Sequence, residues 1–351
     1  MLPVSPEVLS LSSDAVLLVR GGRVAYANPR AEALLGRALA GLKSSELFGE
    51  DILGSQADSF AADALVCGRY CSLRTLRIAD ARVYYLQSPE LTADYVSDAF
   101  ICSARGLLMN MRLSIDLLRR SAESGDSALS EPLCALLRGY FGVSRMLENA
   151  SVLQNCVHGT EELRAEPICL SSLCREICST LRLLRRDVSF VFSSEEEAWI
   201  DGDRAMIEQL VYNLVSNALV HGKGLSRVSL RVVCAENLVL LSVGDDGCGM
   251  DDAALSRAFE RYRSPYELSQ LGSGAGLGLS AVRAVARQHG GTLMLESRPG
   301  SGTSARVSLR RLRPSDGVLK QSEPFEPGMQ RLLTGLCLCL PGECFGECFM
   351  D

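Results

Sequence analysis

Two asparagines, Asn213 and Asn217, stand one helical turn apart in DRAMIEQLVYNLVSNALVHG, residues 203–222. Leu210, Leu214 and Val215 give that stretch a helical apolar spacing, so both carboxamides leave one face of the predicted helix. Two such amides are often satisfied core residues; beside the glycine loops that follow, they are better read as ligands for a metal-bound phosphate. After the predicted strand NLVLLSVG comes Asp245-Asp246-Gly247-Cys248-Gly249-Met250. An aspartate at a strand end can accept a hydrogen bond from an exocyclic amine in an apolar pocket, and glycines let backbone approach a ring closely. Alone, this D-x-G-x-G loop fits a tight turn or a calcium loop equally well. Further on, Gly272-Ser273-Gly274-Ala275-Gly276-Leu277-Gly278-Leu279-Ser280 leads into the helical stretch AVRAVARQHGG. Glycine-rich backbone feeding a helix N-terminus supplies free N–H groups and a favourable dipole, which suits a polyphosphate. The loop carries no Gly-Lys-Ser/Thr and sits in no βαβ unit, so it is neither a Walker loop nor a dinucleotide fingerprint. Gly300-Ser301-Gly302-Thr303 then opens a last predicted strand, SARVSLRRL.

These loops need elements to hold them. Near the start, AVLLVRGGRVAYAN (15–28) reads as two strands about a Gly21-Gly22 turn, followed by a helix in PRAEALLGRAL. CSLRTLRIADARVYYLQS (71–88) gives two more strands after a mixed segment. Residues 1–92 are therefore expected to form a small α+β domain with a helix-covered antiparallel sheet. The phrase GGRVAYANPRAEALLG resembles the opening of a PAS sensory domain, and names no ligand. Ile101, Ala104, Leu108, Met111, Ile115 and Leu118 then alternate spacings of three and four, the seam of a bundle helix. A polar break at 121–132 precedes a second seam, Leu136, Tyr140, Val143, Leu147 and Ala150. Residues 93–158 are thus expected to form an antiparallel helical hairpin that closes into a four-helix bundle as a homodimer; packing on the chain's other domains is the alternative.

Asn213 and Asn217, the Asp245 loop, FERYRSP (259–265, opening at Phe259), the glycine loop and GSGT resemble, in order, the N, G1, F, G2 and final boxes of the histidine-kinase catalytic domain. The resemblance covers 159–313 and implies an α/β sandwich that binds ATP and Mg²⁺, within a multidomain α+β chain. It implies that Asn217 binds Mg²⁺, Asn213 lines the phosphates, Asp245 holds the adenine amine, and 251–273 is a lid. Gly247, Gly249, Phe259, Gly274, Gly276, Leu277, Gly278, Leu279 and Thr303 complete the implied nucleotide site. Related gyrase and heat-shock ATPases carry a water-activating Glu where Asn213 stands, as do anti-sigma-factor kinases. An amide cannot act as general base, so phosphoryl transfer or ATP holding is favoured over steady hydrolysis. Histidine kinases often place a Lys where Val220 stands; His221 or Lys223 is the expected supplement.

The phospho-accepting residue is missing. Aligned from Phe100, the family's acceptor His falls on Gly106, Leu107 replaces its Glu, Asn110 fits the Thr/Asn position and Met111 replaces its Pro. The seam independently turns residue 106 outward. The chain has only three histidines. His158 is expected in a loop after the second hairpin helix, His221 lies in the nucleotide helix, and His289 lies in the turn after the lid helix. Ser103 and Ser114 are hydroxyl alternatives, although Ser114 lacks an evident activating base. The expected function is that of an ATP-binding, sensor histidine-kinase-like protein of two-component signal transduction, unable to autophosphorylate on His in cis. Two alternatives stand beside it: a non-catalytic ATP-switched scaffold, and a phosphatase acting on a response regulator, with Asn110 orienting water. A response regulator or a partner kinase is the expected partner.

Composition sets the outer bounds. With 36 Lys+Arg against 42 Asp+Glu the formal charge is −6, which disfavours coating of nucleic acid or anionic lipid. No apolar run reaches the roughly 18 residues of a membrane-spanning helix and the N-terminus lacks a signal pattern, so a cytoplasmic protein without membrane insertion is expected. Most of the 14 cysteines sit in apolar segments as buried thiols. The tail, 314–351, carries Cys337, Cys339, Cys344 and Cys348 at a spacing that is not a standard zinc pattern, and is expected to be poorly ordered.

Overall fold

A computed structural model describes residues 9, 12, 14–88, 108, 109, 111–113, 115, 118, 130–158, 163–260, 277–313, 328–342 and 344–347. Strands β1 (Ala15–Arg20) and β2 (Arg23–Ala27) form a hairpin in which Gly21 and Gly22 both take positive φ, 57° and 73°. Asn28 starts helix α1 (Pro29–Leu35): its Oδ1 accepts from Ala31 N at 2.9 Å and from Val16 N at 3.0 Å, tying helix to strand. After the short helix α2 (Glu50–Leu53), strands β3 (Ser59–Val66), β4 (Arg69–Ile78) and β5 (Ala81–Gln87) complete an antiparallel sheet in the order β2-β1-β5-β4-β3. Leu17, Leu39, Ile52, Phe60, Leu73 and Leu86 fill its core. The sequence reading left β3 inside the mixed segment. Three of its eight residues are alanine, and the strand is held by neighbours on both sides.

Helix α3 (Ser130–His158) is the second predicted hairpin helix, and it runs through His158, which was expected in a loop. Of the first hairpin helix, only residues 108, 109, 111–113, 115 and 118 are described, and these are helical; Phe100, Ser103, Gly106, Leu107, Asn110 and Ser114 lie outside the described residues. Of the four described positions of the first predicted seam, Leu108 and Ile115 are covered and Met111 and Leu118 exposed. On α3, Tyr140, Leu147 and Ala150 are buried, but Leu136 and Val143 are exposed and Leu137 and Phe141 point inward instead. The helix is covered on a wider face than a two-helix seam requires, because it packs on the C-terminal half of the chain.

That half begins with β6 (Glu166–Cys169), which pairs with β8 (Trp199–Gly202). Helix α4 (Leu170–Leu184), strand β7 (Ser189–Ser194), helix α5 (Arg204–His221), strands β9 (Arg227–Cys234) and β10 (Leu238–Asp245), helices α6 (Asp252–Glu260) and α7 (Leu277–Gln288), and strands β11 (Thr292–Ser297) and β12 (Thr303–Arg310) follow. The sheet order is β11-β12-β10-β9-β7, antiparallel except for β7 beside β9, with α4, α5 and α7 packed on it. This is the expected α/β sandwich. At its edge β11 also pairs with β3, Met294 opposite Ala62 and Leu295 opposite Ala61, so the two sheets join into one of ten strands. Around the junction Arg283 bonds Asp63, Glu296 accepts from Ser55, Arg298 pairs with Asp58 at 3.2 Å, and the Arg287 guanidinium lies 4.5 Å from the Tyr70 ring centre.

Of the tail, residues 328–342 and 344–347 are described, and these depart from the expected loose segment. Helices α8 (Met329–Leu336) and α9 (Cys344–Glu347) pack on α5 and α3, burying Leu332, Leu333, Leu336, Cys337 and Phe345. The run of Leu and Cys that reads as a sticky tail is the apolar face of α8 and the turns after it. Arg331 caps the contact with a bond to buried Glu208 at 3.0 Å, and Gly335 lies so close to Tyr212 that a side chain there would overlap the ring.

Candidate functional site

A cavity of about 620 Å³ lies among α3, α5, α7, β10 and β12. Its walls bring together Asn217, His221, Asp245, Gly249, Leu277, Gly278, Leu279 and Thr303, all of them implied by the sequence resemblance. Gly274 and Gly276 lie outside the described residues, as do the side chains of Phe259 and His158. Val220 lines the cavity; Lys223 is exposed and outside its described lining.

The floor near β10 is closely hydrogen-bonded. Asp245 is half-buried, and its Oδ1 accepts from Gly247 N at 2.9 Å. Burial raises its carboxyl above the usual aspartate range, against the lowering effect of hydrogen bonds from Gly247 and Thr303 N–H groups. Its neighbour Asp246 turns away. That carboxylate accepts from Ser226 N and Arg227 N, each at 2.8 Å, and from Ser226 Oγ at 2.6 Å, which holds it down at about 2. Gly249 (φ 65°) and Gly302 (φ 81°) let the two glycine loops interlock, since a side chain on either would overlap a carbonyl of the other. Ser297 Oγ fastens them, accepting from Met250 N at 2.8 Å and donating to Gly302 O at 2.9 Å. Gly247 sits behind this wall against Gly222, outside the described lining.

The opposite end is formed by the first turn of α7 and by α3. Asn213 is present there but turned into protein: it is 1% exposed, and its Nδ2 donates to Asn149 Oδ1 at 2.8 Å. Its Oδ1 accepts from Arg145 Nη2 at 2.9 Å and Nε at 3.3 Å. Arg145 Nη1 also donates to Ser216 Oγ at 2.8 Å. Arg145, Asn149 and Leu338 line the cavity and none was singled out from sequence. Arg145 had a signal, a charge inside the apolar run YFGVSRML, whereas the position of Leu338 depends on a tail that was read as loose. His289 lies elsewhere as a satisfied core histidine. Its Nε2 accepts from Asp203 N at 3.1 Å, its Nδ1 lies 2.8 Å from Val285 O, and burial lowers its pKa.

The cavity suits a nucleotide: one acceptor carboxylate on an apolar floor, and a helix N-terminus with amides and a guanidinium at the far end. A hard divalent ion would find one oxygen donor in Asn217 and take the rest from phosphate and water. Among the described residues no cluster of three or more His, Cys, Asp or Glu is arranged to hold a metal by itself.

Residues 202–313 match the family described as histidine kinase-, DNA gyrase B-, and HSP90-like ATPase. Over 113 residues the chain is 38% identical to histidine protein kinase DivJ of Caulobacter vibrioides, covering 32% of this chain and 19% of that protein. It is 37% identical to the Mycobacterium tuberculosis sensor histidine kinase TrcS over 33% of this chain and 23% of that one, and 32% identical to the probable sensor histidine kinase TcrY of the same organism over 45% and 34%. The chain thus spans between 19% and 34% of the length of these relatives. A crystal structure of full-length ShkA with AMPPNP superposes with TM-score 0.49 at 20% identity, over 63% of this chain and 47% of that one. Residues 202–313 are therefore an ATP-binding domain of the histidine kinase, gyrase B and HSP90 type, in a chain whose relatives include sensor histidine kinases.

Proposed function

We propose that this protein is a sensor-kinase-like component of two-component signalling that holds ATP, with Mg²⁺, in the cavity between α5 and α7. The observation that carries the reading is the composition of the cavity wall. Among its described lining residues the one carboxylate is Asp245, and no glutamate stands where a water-activating base would be needed. Asp245 would accept from the adenine amine, the α7 N-terminus with Gly278 and Leu279 would face the phosphates, and Asn217 would hold Mg²⁺, which neutralises phosphate charge when bound. His221 lies on the wall beside Val220, the position where the family often places a lysine. The PAS-like reading of the N-terminal unit is supported by its five-stranded antiparallel sheet and the Asn28-capped helix. Exposed Met109, Met111, Leu113 and Leu118, with Leu136 on α3, support a homodimer whose second copy covers them.

With Gly106 at the acceptor position, the protein would not label itself on histidine in cis. It would instead transfer phosphate to a partner kinase or response regulator, or act as an ATP-switched scaffold for one of them. Dephosphorylation of a regulator, with Asn110 orienting water, is the remaining alternative. Incubation with γ-labelled ATP and Mg²⁺ separates these readings. No label on the chain together with measurable ATP binding is the expected result. Acid-labile label on the chain would overturn the loss of the acceptor. Asn217→Ala is expected to lower ATP affinity in Mg²⁺ roughly tenfold, and unchanged affinity would remove the site assignment.

A further inference from the structure

Helix α3 belongs to the hairpin, not to the ATPase domain, yet it walls one side of the nucleotide cavity. Arg138 and Arg145, two turns apart, lie on that wall. Arg138 is exposed and its Nη2 donates to Leu340 O at 3.2 Å. Arg145 is different, being only 8% exposed. Its described partners are the Asn213 carboxamide, the Ser216 hydroxyl and the Cys337 thiol. None supplies a counter-charge, because burial raises the Cys337 thiol and keeps it neutral at pH 7. Burial lowers its pKa, against the opposing charge of Glu148, which is exposed to solvent. A buried cation in this state is costly unless an anion completes it. The guanidinium lies close to Gly278 in the first turn of α7, where backbone N–H groups also face an anion.

We propose that Arg145 is a ligand of the nucleotide's polyphosphate, so that the hairpin and the ATPase domain build the binding site together. The proposal rests on the nucleotide reading given above. A planar guanidinium forks onto phosphate oxygens, and turning toward them would release the Asn213 Oδ1 that Arg145 holds. The hairpin's seating on α5 would then be tightest when a polyphosphate is present.

The test uses the full chain and compares binding of ATP·Mg²⁺, ADP·Mg²⁺ and adenosine by calorimetry. Arg145→Ala is expected to weaken ATP roughly tenfold to a hundredfold and to leave adenosine within about twofold, with Arg145→Lys intermediate. Arg145→Gln keeps hydrogen-bonding groups but removes the charge, and serves if the alanine variant fails to fold; it is expected to lose the same preference for ATP over adenosine. Unchanged ATP affinity in a folded variant overturns the proposal. Tighter ATP binding also overturns it, and would make Arg145 a latch that withholds Asn213. A wild-type chain that binds neither ATP nor adenosine would instead sink the nucleotide reading beneath it.

Discussion

The ATPase domain has two large neighbours in this chain, and they touch it by different physics. The N-terminal unit joins by backbone: β3 pairs with β11, and an aspartate–arginine contact, Asp63 with Arg283, is enclosed beside the ladder. Helix α3 joins by side chains, with Arg145 and Asn149 bonded to Asn213 at the cavity's end. Strand pairing is nearly blind to what the cavity contains. Amide and guanidinium contacts compete directly with any ligand that offers better acceptors. One neighbour is therefore built to stay and the other to respond.

The comparison breaks most visibly at Asp63. Its side chain is 3% exposed and that of Arg283 16%, so Asp63→Ala removes the carboxylate from an enclosed cation and leaves it the Ser72 hydroxyl. A loss of about 3 kcal/mol in urea unfolding is expected, with ATP affinity unchanged in the surviving folded fraction. A large fall in ATP affinity at constant stability would mean that the N-terminal junction also reads the ligand.

Asp245 gives the next largest effect. Its carboxyl titrates above the ordinary aspartate value because it is buried, so the free protein keeps that proton to a higher pH than the unfolded chain does. The contribution to stability is full below the ordinary value and is lost as pH rises through the raised one. In the proposed site adenine binding favours the ionised form, so ATP affinity should fall as pH is lowered through that raised value. Asp245→Asn should weaken ATP roughly thirtyfold at neutral pH and flatten the profile. Calorimetry across pH checks both, and an equally steep profile in the variant would assign the titration to another group.

The smallest effect belongs to Arg298, which pairs with Asp58 across the same junction as Asp63 but with side chains 56% and 67% exposed. Arg298→Ala should cost no more than about 0.5 kcal/mol in unfolding. A cost near that of Asp63→Ala would show that the junction depends on its rim and not on its enclosed pair.

Legibility from sequence followed the same division. Asp245, Asn217 and Gly249 could be placed near one another in advance because each position depends on residue type: a carboxylate, an amide, and a site where only hydrogen fits. The β10 strand and the α5 and α7 helices were legible for a related reason, since their periodicity and breakers are local. Arg145 was not legible, because a charge within an apolar helical run says only that something unusual is covered, and what covers it comes from α5 and α7. The α3 seam was half right: a three-and-four pattern fixes a face, but Leu137 and Phe141 buried a broader one against partners distant in sequence. Strand β3 was hidden by its alanines, which carry little β preference and owe their strand to β4 and β11. The tail failed as an expectation for want of a visible receptor. Nothing local in LLTGLCLCL announces that Tyr212 offers it a flat ring.

The junction at β11 also has a bearing on how the protein can be divided. A sheet edge is a row of N–H and C=O groups that will accept any strand, and here Thr292–Ser297 is covered by the chain's own β3. Cutting the chain at the hairpin would strip that cover and expose Met294, which is 3% exposed in the joined sheet and packs in the N-terminal core. A fragment beginning at residue 159 would therefore carry a bare, apolar strand edge and a tendency to add a second copy along it. Self-association of such a fragment would say nothing about how the whole protein pairs, because the surface responsible is one that the intact chain keeps for itself.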